Sequence, residues 1–121
     1  LARQTIISEG WALVVEGMLD AVLLWQVGQR NVVASGTTAL TDAQAQILAR
    51  FCQRIEVMFD RGEKEFAAYE KIRRSRGGYF PKGVNYRELP PSASDPAEYV
   101  SQQIDRMVRD QSPSQVLLPT A

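Results

Sequence analysis

The chain predicts an α/β fold with helices covering both faces of a sheet of about four, largely parallel, strands. Three observations carry this. Strand-like and helix-like runs alternate through short links, the order that builds a parallel sheet between helical layers. The first run, Ala12 to Val15, is apolar at every position, as a central strand buried on both faces requires. Two later segments, Thr41-Asp42-Ala43-Gln44 and Asp95-Pro96-Ala97-Glu98, carry helix-start signatures.

Taken in order, Leu19 to Val27 reads as a helix that is apolar nearly all round, closed by Gly28. Asn31 to Ala34 is the second strand. Thr41 caps the next helix, whose stripe of Ile47, Leu48, Phe51 and Cys52 has the spacing of one buried face. Ile55 to Phe59 is the third strand. The helix from Glu63 to about Arg74 turns Phe66, Tyr69 and Ile72 inward and pairs Glu70 with Arg74 on its exposed side. Gly77-Gly78 and Pro81-Lys82-Gly83 mark a loop. Val84 to Leu89 is shorter in apolar content, as expected of an edge strand. The last helix, capped by Asp95, lines up Val100, Ile104, Met107 and Val108. Residues 1–110 are thus expected to form one domain and 111–121 a tail or linker. The chain opens on Leu1 and is read as a piece of something longer.

Composition narrows the chemistry. The 121 residues suit one core, and 45% apolar content is that of a globular protein. Fourteen basic residues balance fourteen acidic ones, so overall charge announces no partner. Histidine is absent and Cys52 stands alone, which removes His- or Cys-based catalysis and metal ligation. Cys52 is expected to be a buried filler, and Trp11 and Trp25 to be packing residues. No apolar run is long enough to cross a bilayer, and a cytoplasmic location without membrane contact is expected.

Carboxylates are the catalytic option that remains. Leu13-Val14-Val15-Glu16 is a buried strand ending on an acid, and Ile55 to Phe59 runs directly into Asp60. Ligands of such sheets gather at the carboxyl ends of the strands. Two strands delivering acids to one edge is a magnesium-site layout. A strand-end Glu before Gly17 has no cap to make, whereas Asp60 could also be a turn acid, Asp20 a first-turn acid favoured by the helix dipole, and Asp95 a cap. Gly36-Thr37-Thr38 offers either backbone amides for phosphate or a plain turn.

The succession Val-Val-Glu-Gly-Met-Leu-Asp at 14–20, Val-Ala-Ser at 33–35 with Thr-Ala-Leu-Thr at 38–41, Phe59-Asp60, Leu89-Pro90 and Asp95-Pro96 resembles the Toprim domain of bacterial replicative primases, a Rossmann-like fold. The resemblance runs from about Gly10 to Arg109. It implies an acidic cluster that binds Mg2+ or Mn2+, with Glu16 and Asp20 as the acids of the first motif, Asp60 as the first acid of an Asp-x-Asp pair, and Asp95 as the acid of the Asp-Pro block. Glu16 and Asp60 are the implied catalytic pair. The pattern is broken where the second acid of the pair is expected, since Gly62 stands there, and Glu65 stands where a glycine is expected. A weakened metal site follows.

The implied activity is magnesium-dependent nucleotidyl transfer from nucleoside triphosphates, making RNA primers on a single-stranded DNA template. Arg61, Lys64, Arg73 and Arg74 are the candidate nucleic-acid contacts, against the plainer reading of solvated helix surface. A mobile-element replication protein is the expected setting, with any replicative helicase engaged through parts outside this chain and the isolated piece expected to be inactive. The rival reading is a catalytically lapsed Toprim-like module serving binding or assembly.

Overall fold

The computed structural model describes residues 2–110. The expected tail from Gln111 and the side chain of Met107 lie outside the described residues. Four strands, β1 (Trp11–Val15), β2 (Val32–Ala34), β3 (Arg54–Val57) and β4 (Val84–Tyr86), form one sheet in the order β2-β1-β3-β4. Every pairing is parallel. The helices are α1 (Arg3–Glu9), α2 (Met18–Gln26), α3 (Asp42–Ala49), α4 (Glu63–Arg76) and α5 (Pro96–Asp110), with a short 3-10 turn at Gly77–Tyr79.

The period-2 geometry of β1 builds two cores at once. Ala12 and Val14 face a cluster with Ile6 of α1, Ala45 and Leu48 of α3, and Ile72 of α4. Leu13 and Val15 face the opposite way, toward Ala21 and Leu24 of α2 and Val100 of α5. All four of these strand residues are completely buried. The α/β architecture with helices on both faces is as the sequence predicts, and β4 is an edge strand, with β2 at the other edge.

Differences lie mostly at element ends. Helix α1 was not expected; it is one short helix with a single buried residue, Ile6, stopped by Gly10 at φ 81°. Strand β3 ends two residues early, although Met58 and Phe59 stay buried and the Met58 amide still donates to Val14 O at 2.9 Å. Strand β4 stops at Tyr86, so Leu89 is buried from a loop. Helix α3 ends at Ala49, which leaves Ala45 and Leu48 as its buried stripe and turns Ile47 outward. Phe66 is likewise half-exposed and Val108 exposed, while Glu70 pairs with Arg73 rather than Arg74. The capping box of Thr41 with Gln44 forms in full.

Cys52 is buried with its thiol pKa raised by that burial, and it donates to Leu48 O. Trp11 lies under the guanidinium groups of Arg54 and Arg87, which share Glu56 between them at 2.6 and 2.7 Å. This ion-paired lid shields the part of the sheet that α2 and α5 leave uncovered.

Asn31 is the buried polar residue of the core and clips β2 to β1. Its Nδ2 donates to Trp11 O at 3.0 Å, its Oδ1 accepts from Gln29 Nε2, and its backbone oxygen accepts from the Leu13 amide. Asn31→Ala strips Trp11 O of this side-chain donor and is expected to cost about 2 kcal/mol. An unchanged urea midpoint would contradict this role.

Candidate metal centre

The strand order reverses direction between β1 and β3, which makes their carboxyl ends the switch point of the sheet. Val14 pairs with Val57 in parallel register. Continuing that register sets Glu16 beside Phe59, one residue short of Asp60. Adjacent strands run about 4.8 Å apart, so the two acids leave the sheet as neighbours on one lip. The Glu16 backbone oxygen is held by the Gly36 amide at 2.9 Å. Its carboxylate makes no hydrogen bond or ion pair among the described residues. The neighbouring turn is stapled by its own hydroxyls: Ser35 Oγ donates to Val15 O, and Thr37 Oγ1 accepts from the Ala39 amide.

Two further acids reach this lip from helix starts. Asp20, in the first turn of α2, has its pKa raised by burial and then by the nearby charge of Asp95, an effect that the Gly17 and Ala97 amides only partly offset. A Cβ on Gly17 would sit 3.2 Å from Asp20 Oδ2, so that carboxylate folds back over its own helix start. Ala97 belongs to α5, so Asp20 lies near the beginnings of two helices. Asp95 caps α5 by accepting the Glu98 amide at 2.7 Å. Glu98 does not complete a box with it, because its carboxylate accepts from Ser94 Oγ instead.

The electrostatics are those of crowded negative charge. Burial, then the charges of Glu16, Asp20, Asp95 and Glu65, push the Asp60 carboxyl up to about 6. All four acids singled out in the sequence thus act at one place, joined by Glu65. None of these five carboxylates forms an ion pair among the described residues. Arg61 does not neutralise them, because its guanidinium is spent on the carbonyls of Leu89, Pro90 and Ala93, and its amide donates to Ser94 O.

An oxygen-only donor set with uncompensated charge suits a hard divalent cation. Among the described residues no three acids stand close enough to form a ready-made cage. An open set of this kind fits an ion that keeps several of its own waters.

A family model described as Toprim-like matches residues 13–100. The chain belongs to the Toprim-like family. It is 32% identical over 102 residues to a DNA primase of Aquifex aeolicus, a match covering 84% of the chain and 20% of that protein. The Toprim-like chain therefore spans about a fifth of that relative's length. Its fold superposes on the Aquifex aeolicus primase crystal structure of the zinc-binding and RNA polymerase domains with a TM-score of 0.74, at 29% identity over 92% of this chain and 28% of the other. A DnaG primase catalytic domain bound to single-stranded DNA matches with a TM-score of 0.68, at 27% identity over 96% and 38% of the two chains.

The basic candidates of the Toprim-like domain are spread along α4. Lys64 is exposed in its first turn and, with Lys71 and Thr38, borders a cleft of about 500 Å3 against the loop before α3. Arg73 and Arg74 lie near the far end, roughly 15 Å along the helix from Lys64. Arg73 is paired with Glu70 at 3.1 Å and Arg74 is exposed. Sequence reasoning missed an aromatic wall beside the acids. Phe66 meets Tyr86 edge-on, with centroids 5.1 Å apart, and Tyr69 packs on both rings. Together with Arg61, Glu63, Glu70 and Leu89, Phe66 and Tyr86 line a cleft of about 490 Å3. Aromatic residues one helical turn apart on α4, facing a tyrosine on the edge strand, were the available signal. No helix among the described residues is long and apolar enough to cross a membrane.

Proposed function

We propose that this chain is the Toprim catalytic-core portion of a DNA primase-like protein, whose parent joins ribonucleotides into primers on single-stranded DNA. The observation that carries the reading is the delivery of Glu16 and Asp60, without a counter-charge, to neighbouring strand ends at the switch point of a parallel sheet. The likeness to primases over most of the chain supports it, as does the relative bound to single-stranded DNA.

Glu16 and Asp60 are the residues that would hold Mg2+ or Mn2+. Bound there, such an ion supplies Lewis-acid stabilisation of the attacking and leaving oxygens in phosphoryl transfer. Asp60, whose carboxyl titrates near 6, is mostly ionised at neutral pH and is ready to ligate. Asp20 and Asp95 stand behind the pair: Asp95 caps α5 through the Glu98 amide, and both add negative potential. The cleft lined by Phe66 and Tyr86 gives an incoming nucleotide an apolar surface. Lys64, Arg73 and Arg74 lie along one helix as contacts for a template backbone, where such charges give sequence-blind, salt-dependent affinity. Arg61, occupied by carbonyls, serves this role least.

The test is primer synthesis by the full-length parent on single-stranded DNA with ribonucleotides and Mg2+. Synthesis that disappears in Glu16→Gln supports the proposal. DNA binding without synthesis in the wild-type parent would favour a binding or assembly module, and synthesis surviving the substitution would refute the role given to Glu16.

A further inference from the structure

We infer that Glu65 supplies, from the first turn of α4, the metal-facing carboxylate that residue 62 cannot carry. The inference rests on the metal-site reading above and names a ligand that reading lacks. Gly62 has no side chain, and its backbone, at φ 154° and ψ 158°, lies in a region that essentially only glycine populates. A side chain at this turn would be strained, so the turn after β3 presents Asp60 alone. The volume that a Cβ on Gly62 would occupy is already taken, by Oε1 of Glu65.

Three features separate Glu65 from an ordinary first-turn acid. Its side chain bends back across the turn into the space where a side chain on Gly62 would stand. Its carboxylate forms neither a hydrogen bond nor an ion pair among the described residues. In particular, the back-bond to the helix-cap amide that an acid at the third helical position often makes is not formed. Gly62, as the cap residue, leaves the space open and offers no side chain of its own. By contrast Glu63 lies exposed in the same turn. A glutamate reaching back from 65 puts its oxygens where a side chain at 62 would stand, on the turn that carries Asp60. The third acid is thus carried by a longer side chain from one helical turn later.

The experiment is calorimetric titration of the 121-residue chain with Mn2+, and with Mg2+ as the weaker probe, for wild type, Glu65→Gln, Glu63→Gln and Glu16→Gln. Glu65→Gln should weaken Mn2+ binding at least tenfold, with Glu63→Gln within twofold of wild type. Gln at 65 keeps the reach and hydrogen-bonding capacity needed to cap α4, so a purely capping Glu65 would leave Mn2+ affinity unchanged and overturn the inference. Melting in EDTA gives a second readout. Removing one of several like charges should hold or raise the metal-free melting temperature, whereas a clear drop would mark Glu65 as structural and also overturn it. If Glu16→Gln abolishes binding but Glu65→Gln does not, this inference fails and the proposed function stands. If wild type shows no saturable binding, both fall.

Discussion

Glu16→Gln is expected to weaken divalent-cation binding about 100-fold and to stop primer synthesis by the parent, while leaving the fold intact. The substitution keeps the shape of the side chain and removes its charge. Because the Glu16 carboxylate makes no hydrogen bond or ion pair among the described residues, no structural interaction is lost with it. The strand that delivers it is held by its backbone, through the completely buried Val14 and Val15 and through the Gly36 amide. One carboxylate close to a divalent ion at a partly solvated site contributes roughly 3 kcal/mol, which sets the 100-fold figure. Losing an ion that stabilises both reacting oxygens is worth several kcal/mol more in the transition state, so synthesis should fall by about 10^3-fold or more. Circular dichroism and urea midpoints unchanged from wild type, alongside lost binding, are the expected pair of results. A variant that unfolds would instead place Glu16 among the structural residues.

Asp60→Asn is expected to move stability and function in opposite directions. The Asp60 carboxyl sits at about 6 in the folded chain, above its ordinary value of 3.8. Between those values the folded state holds a proton that the unfolded state has released. The contribution of Asp60 to metal-free stability is therefore most favourable below about pH 4, falls as pH rises, and carries the full cost of the charge above about pH 6. After allowance for partial exposure that cost is about 2 kcal/mol. Asn carries no charge, so the variant should melt roughly 5 °C higher than wild type in EDTA at pH 7.5, with a flatter stability profile between pH 4 and 6. The same change should abolish saturable Mg2+ binding. Magnesium should stabilise the wild type and leave the variant unaffected. A variant less stable than wild type at pH 7.5 would show that Asp60 is held by interactions rather than crowded by charge.

The parts of this molecule that sequence made legible are those governed by short-range periodicity. The apolar run before Glu16 and the alternating pattern before Asp60 place both acids at strand ends, because a strand buried on both faces has few other ways to be written. The Thr41–Gln44 box and the Asp95 cap were readable for the same local reason. What was not legible depends on chain segments far apart in sequence. Arg61 looks like a cation beside the acids, yet its partners are carbonyls at Leu89, Pro90 and Ala93, brought in by the loop before α5. Asp20 looks like a helix-dipole acid, yet burial and the charge of Asp95, just before another helix, raise its pKa. Ile47 and Phe66 fit an inward stripe by spacing, but α3 ends before the stripe is complete and Phe66 finds the ring of Tyr86 at the sheet edge. Helix α1 buries only Ile6, and its clearest sign was Gly10 in the left-handed conformation where the helix stops. The position of Glu65 over Gly62 required the backbone angle of the turn itself.

The most direct test of the central claim is a Mg2+ titration of the 121-residue chain followed by amide NMR. A shared site at the ends of β1 and β3 predicts saturable shifts at Glu16, Gly17, Asp60 and Arg61, all fitted by one dissociation constant. Amides that stay in place there, or that move with different constants at Glu16 and Asp60, would contradict it.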